Sequence, residues 1–283
     1  MRLIKYLLLI LFPFSNTFGE TVDSLKTPIA DNYSDCFTIA DTAKYRDSVN
    51  YYSLLIALYP DSADFYGKRA YYKVGLNDET GSGADYLKAV QLRSTYLAAI
   101  YSLGLHYFVT NDFDKAETTF RRALKQSPND SDVKYMLGIL LYKMDRYKEA
   151  LPYLLTTNQV GKYKILALEV AGSCAIEVED YQTALECYNM LLEDIKKEEY
   201  YCLKANALGY LKRYSEANYY FNYCLQLNPD YSDVYYYRGF MRYNRGQLNA
   251  ACKDFYLAAI KHDADAQKIL CEECERLCQK LNY

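Results

Sequence analysis

The sequence predicts an all-α chain, a solenoid of about seven helix pairs closed by one further helix. Three observations predict it. Small residues recur at Gly104, Gly138, Gly172, Ala205 and Gly239, in steps of 34, 34, 33 and 34. Gly and Pro are sparse, at 12 and 6 in 283 residues, which favours helices with short turns over a many-stranded β fold. The chain is 51% hydrophobic and 24% charged with both signs mixed, which is too apolar for disorder.

The repeat has internal structure. Twelve residues after each small residue stands another: Ala116, Ala150, Ala184, Ala217 and Ala251. Four further on is a bulky one: Phe120, Leu154, Tyr188, Phe221 and Phe255. Pro128 and Pro229 fall at repeat ends, where a helix must stop. Two antiparallel helices of about three turns use roughly 34 residues. Where they cross, a small residue on the first helix is expected to face the Ala on the second, because larger side chains would hold the axes apart. Upstream the pattern weakens but keeps phase, through Ala70, Ser82, Tyr86 and Ala89, and before them Cys36, Ser48, Tyr52 and Pro60. The expected windows are 29–62, 63–96, 97–130, 131–164, 165–197, 198–231 and 232–265. A helix over 266–283, with a charged exterior, is expected to cap the uncovered apolar end.

Residues 1–19 have the anatomy of a secretory signal peptide. Arg2 and Lys5 precede a short apolar run over 6–14, and Thr17 and Gly19 stand at −3 and −1 of a cut before Glu20. A spanning helix needs about 20 apolar residues, twice this run. Residues 20–28 read as an unstructured lead-in. The expectation is an exported protein, periplasmic or secreted, without stable membrane insertion after cleavage.

The phased pattern resembles the tetratricopeptide repeat family, which carries small residues at positions 8, 20 and 27, an aromatic at 24 and Pro at 32. The window 97–130 matches through Leu103, Gly104, Tyr107, Ala116, Phe120, Ala123 and Pro128. The window 198–231 has Ala205, Ala217, Phe221, Cys224 and Pro229. The window 232–265 resembles the terminal repeats of exported bacterial members. The resemblance covers about residues 29 to 265 and implies a right-handed α-solenoid that binds protein.

In that family positions 2, 5, 9, 12 and 13 face a concave groove. Carried over, they give Tyr71; Tyr101 and Phe108; Tyr135 and Tyr142; Glu169, Ser173 and Glu177; Asn206 and Tyr210; and Tyr236, Phe240, Tyr243 and Asn244. The Lys/Asn clamp by which some members grip a peptide C-terminus is absent, since position 5 is never Lys. What remains is an aromatic, mildly acidic trough, suited to extended peptide or to sugar rings. The alternative is that these tyrosines, drawn from 34 in the chain, mostly contact neighbouring helices.

Little argues for chemistry. His106 and His262 lie far apart, and neither has a partner that would make it a base. Gly81-Ser82-Gly83 reads as an inter-helix turn. Nothing calls for a cofactor. A net charge of −3 without a basic block excludes a nucleic-acid footprint. Among nine cysteines, Cys271, Cys274 and Cys278 share one helix face at i, i+3, i+7. Three readings stand: reduced packing, a disulfide from Cys271 or Cys274 to Cys252, or zinc, for which a fourth ligand is missing.

The functional expectation is a non-catalytic scaffold binding a protein or extended peptide in a Tyr-lined groove. A module binding carbohydrate or envelope polymer, and an accessory subunit of an envelope enzyme complex, are the alternatives.

Overall fold

The computed structural model describes residues 39–157, 163–261 and 263–274. The signal and lead-in segments, Cys36, His262 and Cys278 lie outside them. The described residues form fourteen helices and no strand. They divide into two compact units, Met1–Asp145 and Arg146–Tyr283.

The first unit holds α1 (Ile39–Leu58), α2 (Ala63–Val74), α3 (Glu79–Leu92), α4 (Leu97–Val109), α5 (Phe113–Gln126) and α6 (Ser131–Lys143). The second holds α7 (Tyr147–Thr157), α8 (Lys164–Glu177), α9 (Tyr181–Asp194), α10 (Glu198–Tyr210), α11 (Tyr214–Leu227), α12 (Ser232–Asn244), α13 (Leu248–Ala259) and α14 (Ala264–Glu273). Within each unit every helix packs on the next in the chain, and α4 also touches α6, as α10 does α12.

One backbone feature makes the pairs. The turn between the two helices of a pair passes through a left-handed residue at Asn77, Asn111, Asp145, Glu179, Lys212 and Gly246. That conformation reverses the chain in few residues, and Asn, Asp and Gly tolerate it best. An aspartate then caps the second helix in two pairs: Asp78 accepts from the Gly81 amide and Asp180 from the Thr183 amide. The residue 34 before Asn77 is Ala43. Alanine favours the helix, and α1 runs straight through it from Ile39 to Leu58. A pair over 29–62 would turn there; the structure has one continuous helix.

The single 33-residue step has a structural place. Connections from second to first helices span 93–96, 127–130 and 228–231, four residues each, whereas α9 and α10 are joined by 195–197 alone. The missing residue is taken from a loop, so both helices keep their phase.

The core is the row of small and bulky residues, but their partners differ from expectation. An added Cβ on Gly104 would stand 2.5 Å from Cε1 of Phe120, and on Gly172 2.6 Å from Cε1 of Tyr188. On Gly239 it would meet Cε1 of Phe255 at 2.9 Å. The glycine is thus matched to the ring at position 24 rather than to the Ala at position 20. Phe120, Tyr188 and Phe255 are fully buried, and each contributes roughly 2–3 kcal/mol of burial.

Two windows carry an ionic brace. Arg69 donates to both oxygens of Asp85, at 2.7 and 2.6 Å, and through Nη1 to Ser53 on the preceding second helix at 3.2 Å. Lys73 adds a pair to Asp85 at 2.9 Å. Arg238, Asp254, Asn222 and Arg242 repeat the arrangement in the second unit. Each arginine sits six residues into its window, so one guanidinium ties three helices at both places.

Candidate functional site

The groove candidates separate by burial. Tyr135 and Tyr236 expose 3% and 7% of their surface. Both stand at position 5 of their windows; at the same position in the window 63–96, Gly67 lies against the Tyr96 ring. Little of either ring therefore faces solvent in the fold. Tyr236 packs against Phe240 at 5.3 Å and Phe255 at 6.2 Å. Phe240 is half-buried on Phe255 at 5.8 Å. Tyr101 is half-buried against Phe120 at 6.1 Å.

More surface remains at the other positions. Tyr71 is exposed, edge-on to Tyr72 at 5.4 Å. Tyr142 and Tyr243 are half-buried. Tyr210 stacks on Tyr181 with centroids 4.5 Å apart and planes 7° from parallel. Burial and the Tyr181 and Glu177 neighbours push its hydroxyl up to about 12.

The second unit brings together carboxylates that the groove set mostly omits. Glu169 on α8 accepts from the Tyr200 hydroxyl on α10. Glu199 on α10 feels the charges of Glu169 and Asp233, and Asp263 feels those of Asp233 and Asp265. Burial holds Glu169, Glu199, Asp233 and Asp263 above the usual carboxylate range, and mutual repulsion adds to it at Glu199 and Asp263. Tyr200 and Tyr231 lie beside this row, their hydroxyls pushed up by burial and by the same acids. Glu199 and Asp233 are both position 2 of their windows. The signal for them was the register itself, since position 2 is among the groove positions of the resembled family.

Catalysis finds no footing among the described residues. His106 is half-buried, its pKa lowered by burial, and its imidazole fills the space left by Gly83. No group of three His, Cys, Asp or Glu is placed to hold a metal ion, and no helix is long and apolar enough to cross a membrane. Cys174, Cys187, Cys202 and Cys224 are free and buried, and burial pushes the Cys187 thiol up to about 12. Such thiols are poor nucleophiles. Cys252 and Cys274 are joined by a disulfide, Cα atoms 5.8 Å apart, tying α13 to the end of α14. Cys271 is disulfide-bonded as well.

Helix pairs with a ring on the position-8 glycines Gly104, Gly172 and Gly239 place this architecture among known ones. Residues 101–157 match the family model of the tetratricopeptide repeat. The fold is the tetratricopeptide repeat fold. Three solved structures resemble it, two of them described as tetratricopeptide repeat proteins. YrrB, described as having an unusual peptide-binding site, aligns with a TM-score of 0.50 at 21% identity over 76% of this chain and 94% of its own. PilF of Pseudomonas aeruginosa aligns at 0.52, with 17% identity over 74% and 97%. A tetratricopeptide repeat protein of Parabacteroides merdae aligns at 0.50, with 12% identity over 88% and 96%. Among curated proteins, DnaJ homolog subfamily C member 7 of Mus musculus is 23% identical over 83% of this chain and 44% of its own length. Anaphase-promoting complex subunit 3 of Schizosaccharomyces pombe is 24% identical over 67% and 29%. The chain spans less than half the length of these relatives. Nothing among the described residues indicates an enzymatic role.

Proposed function

We propose that the chain is a protein-interaction scaffold whose second unit holds an extended peptide segment along its first helices. The observation that supports it is the row Glu169, Glu199, Asp233 and Asp263 with Tyr200 and Tyr231 beside it. Half-buried carboxylates that repel one another gain from a cation arriving between them. Half-buried Tyr231 supplies a rigid apolar face with a hydroxyl for a peptide backbone, while Tyr200, 1% exposed, holds Glu169 in place. The fitting ligand is therefore a segment with Lys or Arg side chains. YrrB, of like fold, carries a peptide-binding site, which agrees with this use of the surface. Peptide display against the purified chain tests it. Enriched basic sequences should bind and be lost with Glu199→Lys and Asp233→Lys. No enrichment, or enrichment indifferent to both substitutions, sinks the reading.

A second reading has its own observation. Tyr201, Tyr219, Tyr220 and Tyr223 cluster on α10 and α11, with Tyr219 exposed and Tyr201 4.8 Å from Tyr223. Such a platform suits sugar rings, and glycan-array binding abolished by Tyr219→Ala would favour it.

Export is part of the proposal. The pattern over residues 1–19 supports it, and so does the Cys252–Cys274 disulfide, since such bonds persist in oxidising compartments. Fractionation of native cells, with the N-terminal residue of the mature chain sequenced, tests it. A reduced chain retained in the cytosol would count against it.

A further inference from the structure

Two of the four free thiols are in contact with each other. Cys202 on α10 and Cys224 on α11 are 1% and 0% exposed. The Cys202 thiol is hydrogen-bonded to the Cys224 sulfur, and Cys224 donates in turn to the Glu198 carbonyl at 3.2 Å.

Their placement repeats that of the bonded pair. Cys202 and Cys224 stand 22 residues apart in sequence, the same separation as Cys252 and Cys274. Both pairs join consecutive helices that pack on each other. Cys202 lies eight residues before the end of α10, and Cys224 ten after the start of α11. Cys252 lies seven residues before the end of α13, and Cys274 ten after the start of α14. Helices rise by a fixed step per residue, so positions equally far from a turn stand side by side. Cys174 and Cys187, by contrast, are 13 residues apart and close to the turn between α8 and α9.

We propose that Cys202 and Cys224 are a further disulfide site, closed while the chain folds, which locks α10 to α11 beside the acidic row. Cys252, Cys274 and Cys271 are already disulfide-bonded, and a chain that keeps such bonds matures where oxidant is at hand. The oxidant is itself a disulfide, of a small thiol or of a protein. One cysteine attacks it, giving a mixed disulfide and one released thiol; the second cysteine then displaces the other half as a second thiol. Two S–H bonds break, one S–S bond forms, and two electrons and two protons pass to the oxidant.

Burial sets the timing. Once α10 and α11 have packed, both sulfurs are out of an oxidant's reach, and burial holds the Cys202 thiol protonated and unreactive. The bond therefore forms before the pair closes, and the same burial then shields it from reductant. Its place also matters, because the charges of Glu199 and Asp233 reach the Cys202 thiol. The lock fixes the helix that carries Glu199. Peptide binding is a separate question, since linked and unlinked chains carry the same carboxylates.

The test is a cysteine map of the full chain, purified from native cells without reductant and with its thiols alkylated at lysis and again in denaturant. The expected result after trypsin is peptide 198–204 linked to peptide 214–238, lighter by two hydrogens than the separate pair, with Cys174 and Cys187 alkylated. Alkyl groups on both Cys202 and Cys224 overturn the proposal, and so does a link from either to any other cysteine. Timing is read on reduced chain given oxidised glutathione either during refolding or after it. The folded chain should form this link at least about tenfold more slowly, because its sulfurs open only with the helix pair. Equal rates overturn closure during folding.

Discussion

Arg238 and Asp254 form a bidentate ion pair inside the last repeat, with Nε 3.1 Å from Oδ2 and Nη2 2.7 Å from Oδ1. Asp254 is 1% exposed and also accepts from Arg242 at 2.6 Å. Removing the carboxylate leaves a buried guanidinium with its charge uncompensated. Asp254→Ala should destabilise by about 3–5 kcal/mol in chemical denaturation, and Asp254→Asn by less, because the amide keeps one acceptor. A loss under about 1 kcal/mol would show that water replaces the carboxylate there.

The glycines offer a matched pair of opposite sign. Gly172→Ala drives a Cβ to 2.6 Å from the buried Tyr188 ring, so it should cost about 1–3 kcal/mol. Gly209 is also helical, but the nearest atom to its Cβ would be Met241 Cγ at 3.7 Å. Gly209→Ala should stabilise by about 0.5–1 kcal/mol, since alanine loses less backbone freedom on folding. Equal effects at the two sites, in thermal melts, would refute the ring-matching explanation.

The Cys252–Cys274 bond closes a loop of 22 residues in sequence. Loop entropy puts its contribution at about 3 kcal/mol. The helix it tethers, α14, has 10 residues, too few to stand alone in water. The double substitution Cys252→Ser and Cys274→Ser should raise amide exchange over residues 264–273 well before the rest of the unit responds. Unchanged protection of α14 would mean that packing of Ala266 and Leu270 holds it without the bond.

The raised carboxylates set a pH dependence. Their native forms bind protons more tightly than the unfolded chain does. Stability from them therefore falls as pH rises from the ordinary carboxylate value near 4 through each raised native value. Glu199→Gln removes one such repulsion and should raise the melting temperature at pH 7 by about 1–2 °C after allowance for solvent screening. The gain should vanish at pH 4. A gain that persists there would point to packing rather than charge.

Much of the fold was legible because its cause is local. The small-residue steps, the rings at Phe120 and Tyr188, and the prolines after second helices all report contacts within one helix pair. The left-handed residues at Asn77 and Asn111 were in plain view too, whereas the window 29–62 was expected to turn near Ala43, where α1 runs straight through. The brace Arg238–Arg242–Asp254 was readable by register, since Arg69, Lys73 and Asp85 repeat it. The candidate site was less legible. Position 5 is a groove position only if the next repeat leaves it open, and that depends on how closely one pair sits on the next.

The order of amino acids is enough to establish repeated helix pairs, the length of each repeat and the step at which one residue was lost. Those features follow from helix periodicity and from turn residues a few positions apart. It took the folded chain to show that Tyr135 and Tyr236 are buried and that Glu169, Glu199 and Asp233 stand together. It also decided that Cys252 reaches Cys274 and that α1 presents Leu54 to solvent. Each of these is set by the separation and rotation between successive helix pairs, a sum of many side-chain contacts that no single window of sequence contains.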